Sequence, residues 1–137
     1  MNSPGFPYSL VLANSLGLAA TFAATFAALA NPNDYAFKLD ESAIHQDDGV
    51  IITVSLTDQR NGAPVADAVI FAMRLDMAPE GMADMTTPVK AVATEVPGQY
   101  RFRADLTMAG DWRFQIAAKV QGEAETVTAD LILGVAP

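Results

Sequence analysis

The chain has 137 residues, enough for one domain, with no cysteine, one histidine, eight basic and sixteen acidic side chains, and a formal net charge of -8. So acidic a chain is a poor partner for nucleic acid, and without cysteine no disulfide can staple the fold, so apolar packing has to hold it. One histidine and no thiol leave little from which to build a Ser/His/Asp or Cys/His site, or a zinc site, and the reading is of a protein that is not an enzyme.

From Phe6 to Ala30 there is no charged residue, and Ala20-Thr21-Phe22-Ala23 is followed at once by Ala24-Thr25-Phe26-Ala27. Two readings stand for residues 1–30: an export signal or a single transmembrane anchor, helical in either case. Ala28-Leu29-Ala30 has the small-x-small form that signal peptidase accepts. The run is also about as long as a bilayer-spanning helix, and Ala19, Ala23 and Ala27 would give it a small-residue packing face. Either way residues 31–137 form the exported domain, periplasmic, soluble after cleavage near Ala30 or anchored in the inner membrane through residues 6–30. All the charged side chains lie in it.

Beyond Asn33, short apolar or alternating runs are separated by Gly, Pro, Asn and Asp at the spacing of an all-β fold, an antiparallel β-sandwich of about seven strands. The first strand runs from Asp34 to Asp40 and the second from Gly49 to Thr57, with a turn after it at Asn61-Gly62-Ala63-Pro64. His45, Asp47 and Asp48 fall in the polar stretch between these strands, read as a solvated loop. The third strand, Val65 to Leu75, alternates with Val69, Phe71, Met73 and Leu75 on one face, which places Met73 in the core.

Next comes a methionine-rich stretch: Met73, Met77, Met82 and Met85 lie within thirteen residues. With Pro79, Gly81, Asp76, Glu80 and Asp84 among them, residues 76–85 read as a loop. Four further strands complete the pattern, Val89 to Val96, Tyr100 to Leu106, Trp112 to Val120 and Glu125 to Leu133, with turns at Pro97-Gly98, Ala109-Gly110 and Gln121-Gly122. Trp112, Phe114, Ile116 and Ala118 alternate with Arg113, Gln115 and Ala117, so Trp112 anchors the core.

Thioether sulfur is a soft, neutral ligand suited to monovalent copper, and it needs no deprotonation before it binds. Apolar side chains left in a loop would waste area unless a metal or partner covered them. Met77, Met82 and Met85 are therefore the candidate ligands of a Cu(I) or Ag(I) site, with Met108 joining if its hairpin lies at the same end of the sandwich. Asp76, Glu80 and Asp84 would offset the ion's charge. Core packing or a protein-docking patch is the competing reading. Calcium on Asp76, Glu80 and Asp84 matches no loop pattern.

Gly62-Ala63-Pro64-Val65-Ala66-Asp67-Ala68, Met77 with Met82, Pro97-Gly98-Gln99-Tyr100 and Met108-Ala109-Gly110-Asp111-Trp112 together resemble the YtkA-like and FixH-like exported domains. The resemblance spans nearly all of Tyr35 to Leu133. It implies an immunoglobulin-like sandwich facing the periplasm, an association with copper or silver handling and efflux, and, in the FixH-like branch, an N-terminal anchor and a role in oxidase assembly. Carried over by position, Met77 and Met82 match the paired methionines after the third strand and Met108 the methionine of the hairpin. Relatives with a compact Met-Pro-x-Met differ from this longer Met77-Ala78-Pro79-Glu80-Gly81-Met82. Two functions are implied: a carrier that passes Cu(I) or Ag(I) to an efflux or assembly partner, or an anchored accessory subunit of a membrane complex that docks through the sandwich.

Overall fold

The computed structural model describes Gly5, residues 32–41 and residues 43–137; the expected N-terminal helix lies outside them. Among the described residues ten strands appear in place of the seven expected: β1 (Tyr35–Leu39), β2 (Ile44–His45), β3 (Asp47–Asp58), β4 (Ala63–Pro64), β5 (Val69–Met77), β6 (Met82–Thr87), β7 (Val89–Val92), β8 (Gln99–Leu106), β9 (Gly110–Lys119) and β10 (Thr126–Ala136). They form two sheets, one ordered β1-β3-β8-β7 with β4 beside β3, the other β2-β10-β9-β5-β6. All pairings are antiparallel except the short β2–β10 pair, which is parallel. The three unexpected strands, β2, β4 and β6, are short and irregular in pattern, and each forms against a longer neighbour whose backbone would otherwise lack a partner.

The core lies between the sheets. Ile52, Val54 and Leu56 of β3 and Phe102, Ala104 and Leu106 of β8 face Trp112, Phe114, Ile116 and Ala118 of β9 and Val127, Leu133 and Val135 of β10. Every second residue turns inward, as the alternation requires. Phe102 and Phe114 meet edge to face across the layers, ring centroids 5.2 Å apart.

One strand breaks its alternation. In β5, Ile70 pairs with Ala118 and Ala72 with Ala117, leaving Phe71 as an extra residue in a bulge. An extra residue reverses the parity of the rest of the strand, so the expected face of Val69, Phe71, Met73 and Leu75 does not form. Val69 and Phe71 point to solvent, the latter 56 % exposed, while Leu75 is buried and Met73 only partly so.

Two sequence motifs turn out to hold each other. Leu56 N–H donates to the Gly98 carbonyl at 2.8 Å, and Val65 N–H to the Leu56 carbonyl at 2.9 Å. The Tyr100 hydroxyl donates to the Val65 carbonyl at 2.6 Å and accepts from Ala68 N–H at 3.1 Å. The chain crosses from one sheet to the other at Val65–Ala68, where no ladder is available, and Tyr100 replaces that ladder. At Gly98, with φ +79, a Cβ would lie 2.4 Å from the Pro64 Cβ, so only glycine lets the two turns close on one another.

Candidate functional site

The methionine run is not a loop. β5 ends at Met77, Ala78–Glu80 makes one 3₁₀ turn, Gly81 takes the left-handed conformation with φ 74, and β6 begins at Met82. Met77 and Met82 are register partners across this hairpin. Met82 and Met85 thus sit on the edge strand of their sheet, not in irregular backbone. The ladder skips from Met77/Met82 to Asp76/Thr86, so Ala83, Asp84 and Met85 belong to a second bulged segment.

Exposure divides the four candidates. Met77 is 1 % exposed and part of the core, Met82 packs partly against it, and Met85 and Met108 are 40 % and 36 % exposed. The expectation that Met77 lies open in a loop with Met73 as the core residue is therefore reversed. Two more inward turns of β5 after the Phe71 bulge carry Met77 into the interior, while Met73 reaches only its margin.

The β8–β9 hairpin lies at the same end of the sandwich. A Cβ on Gly110 would come within 3.2 Å of both the Met77 methyl carbon and the Glu80 carboxylate, and Asp111 N–H donates to that carboxylate at 2.9 Å. Met108 stands two residues before Gly110, and its carbonyl accepts from the Trp112 indole at 3.0 Å. The Met-Ala-Gly-x-Trp motif thus closes on itself through Trp112 and presses its glycine onto Met77. Met77, Met82 and Met108 share one pole; Met85 lies a few residues along β6.

The acids there do different work from one another. Asp76 is fully buried. Its Oδ2 accepts from Arg74 Nε at 2.7 Å and Arg113 Nη2 at 2.8 Å, and its Oδ1 from Arg113 Nε at 3.2 Å and Ala78 N–H at 3.1 Å. The Arg113 guanidinium, helped by Arg74 and the Ala78 amide against the opposing effect of burial, lowers its carboxyl to about 2. Its charge is spent on two arginines, so it cannot offset a bound ion as expected, nor serve calcium. Glu80, Asp105 and Asp111 supply acidity at this pole instead: Asp105 accepts from Gly49 N–H at 2.6 Å, beside the start of β3. Among the described residues, no group of three or more His, Cys, Asp or Glu gathers to hold a metal ion.

The opposite pole has its own polar group. Tyr35 at the start of β1 donates to Glu123 Oε1 at 2.6 Å and accepts from Arg60 Nη2 at 3.0 Å, and Arg60 also binds Asp58 at 2.8 Å. This group closes the end at which residue 32 leads in. On the outer face of the second sheet, Ala72, Ala117 and Thr128 floor an open depression of about 290 Å³ edged by Arg74, Gln115 and Asp130. Met73 lines it, whereas Met77, Met82, Met85 and Met108 do not.

A family profile described as YtkA-like matches residues 29–117. The chain belongs to the YtkA-like family. The match ends within β9, whereas the YtkA-like fold seen here continues through β10 to Ala136. No curated protein matches the chain. Among solved structures, it is similar to the Lin-41 filamin domain at 17 % identity, covering 74 % of this chain and 91 % of that one with a TM-score of 0.45. It is also similar to the ZirS C-terminal domain at 13 % identity, covering 100 % and 86 % with a TM-score of 0.47. Among the described residues no helix is long and apolar enough to cross a membrane.

Proposed function

We propose that this YtkA-like domain is a non-enzymatic, exported carrier that binds Cu(I) or Ag(I) at its methionine pole and hands the ion to an efflux or assembly partner. The observation that carries the reading is the joining of two separate methionine motifs at one end of the sandwich. Met77 and Met82 face each other across the β5–β6 hairpin, and the Met77 methyl lies against Gly110, two residues from Met108. In this reading Met82 and Met108 supply the accessible sulfurs, Met77 is the floor beneath them, and Met85 on the exposed edge is the outermost. Glu80 brings a carboxylate beside the Met77 methyl, where it offsets a monovalent charge that neutral thioethers cannot. We read the sandwich as immunoglobulin-like.

Chain entry favours outward presentation. Residue 35 lies at the pole opposite the methionines, and the ten residues of β9 span about 30 Å between the two ends. If residues 6–30 anchor the protein in a membrane, the methionine pole faces away from the bilayer, open to a soluble or projecting partner.

Anaerobic titration of the protein with Cu(I) against a colorimetric competing chelator tests this. One tightly bound ion is expected, weakened in Met82→Leu and in Met108→Leu and lost in the double variant, because leucine keeps the bulk and removes the sulfur. Undiminished binding in the double variant, or none in the wild type, overturns the proposal.

The second reading, an accessory subunit docking through the sandwich, is favoured by Phe71 and Val69, which the β5 bulge turns out to solvent together. Phe71→Ser would then break a complex without changing Cu(I) affinity.

A further inference from the structure

We infer that the outer face of the first sheet is a docking surface for an acidic segment of a partner protein, a role that needs no metal and stands apart from the carrier reading. The chain has eight basic side chains against sixteen acidic ones. Arg60, Arg74 and Arg113 are held in ion pairs, and the Lys119 ammonium donates to the Ala124 carbonyl at 2.7 Å. The other four, Lys38, Lys90, Arg101 and Arg103, are exposed and make no hydrogen bond or ion pair among the described residues. All four stand on one surface.

Alternation puts them there. Phe102 is buried, so Arg101 and Arg103 leave β8 on its outer side; Lys90 of β7 is directly opposite Arg103, and Lys38 of β1 is opposite Ser55 of β3. Two rows cross the sheet, Ile51–Arg103–Lys90 and Thr53–Arg101–Val92. Lys90, Arg101 and Arg103 thus form a triangle, with backbone spacings of about 5 Å across the strands and about 7 Å along β8.

Like charges directly opposite on neighbouring strands repel and lower stability. A carboxylate between them would relieve this, yet the acids bordering the face are engaged elsewhere. Asp105 accepts from Gly49 N–H at 2.6 Å, both Glu41 oxygens from Thr53 N–H at 2.8 and 2.9 Å, and Asp40 from the Ser55 hydroxyl at 2.7 Å. A Cβ on Gly49, whose φ is +67, would lie 2.5 Å from Arg103 Nη2, so the guanidinium rests on bare backbone at the β3 bulge.

Unneutralised arginines beside the half-buried Ile51 and Val92 have the composition of a protein interface, and each planar fork matches a carboxylate. An anionic bilayer fits worse, because a charged plane wider than the patch also meets the bordering Asp40, Glu41 and Asp105. A second copy meeting through the same face would set cation against cation.

The test uses the full chain labelled with 15N and a short fluorescein-labelled peptide of alternating glutamate and serine. Amide shifts should gather on Ile51, Thr53, Val89–Val92 and Gln99–Arg103, and fluorescence anisotropy should show affinity falling as salt is added. Lys90→Glu combined with Arg101→Glu should weaken binding by about tenfold or more while Tm holds or rises, since a repulsion with Arg103 becomes an attraction. Lys119→Glu, on the other sheet, should leave binding unchanged. No amide shifts at saturating peptide, shifts confined to other strands, or equal weakening by Lys119→Glu overturn the proposal. So does binding to phosphatidylglycerol vesicles that the double variant abolishes while the peptide does not bind, which would assign the face to lipid. No metal is added, so failure here leaves the Cu(I) reading standing.

Discussion

Replacing Asp76 by asparagine removes a buried charge and leaves two arginines facing a neutral amide. Because Arg113 and Arg74 lower the folded carboxyl to about 2 from an ordinary value of 3.8, the ionised side chain stabilises the native state. The stability is fully present above pH 3.8 and is lost as pH falls through 2. The difference corresponds to roughly 2 kcal/mol at pH 7 and roughly 1 kcal/mol at pH 3. Asp76→Asn should therefore cost roughly 2 kcal/mol at pH 7, a drop on the order of 10 °C in Tm for a domain of this size. The gap should narrow by about 1 kcal/mol at pH 3. Urea unfolding of both proteins at the two pH values measures it. A cost below about 1 kcal/mol at pH 7, or a gap that does not change with pH, would refute the assignment of Asp76 as a charged clamp. Since Asp76 Oδ1 also holds Ala78 N–H, the same variant should loosen the turn that seats Met77 beside Gly110.

The packing sets three further outcomes. Gly98→Ala puts a methyl 2.4 Å from the Pro64 Cβ at a left-handed backbone position, and should cost about 2 kcal/mol or more in denaturant unfolding. Tyr100→Phe leaves the Val65 carbonyl and Ala68 N–H without their partner, and should cost about 1–3 kcal/mol with no change in secondary-structure content by circular dichroism. Under limited peroxide, peptide mass spectrometry should find Met85 and Met108 converted to sulfoxide first and Met77 last, with Ag(I) protecting Met82 and Met108 if they bind it.

Strand order along the chain and most inward positions were legible from alternation alone. In β8 and β9 the pattern Tyr100, Phe102, Ala104 and Trp112, Phe114, Ile116, Ala118 carries its own register, because a one-residue slip would expose the whole apolar set. The glycine turns were equally plain: Gly62, Gly98, Gly110 and Gly122 all adopt positive φ where punctuation was expected. The motifs that suggested YtkA-like ancestry were visible as strings, yet their purpose was not. Only the folded chain shows Gly98 seated on Pro64 and Gly110 on Met77, contacts between residues more than thirty positions apart.

Sequence by itself determined an acidic, cysteine-free, two-sided β pattern and a concentration of thioethers, since composition and period are properties of the string. Tertiary structure alone decided which methionines are free. The bulge at Phe71 reverses the faces of β5, and the unpaired edge of β5 draws Met82–Thr87, a segment with little strand character, into a ladder. Burial of Asp76 between Arg74 and Arg113, and the tie between Gln46 and Thr107, likewise depend on pairings between distant strands. Such pairings are settled by backbone hydrogen bonding across the whole sheet, a cooperative quantity to which no local stretch of residues holds the key.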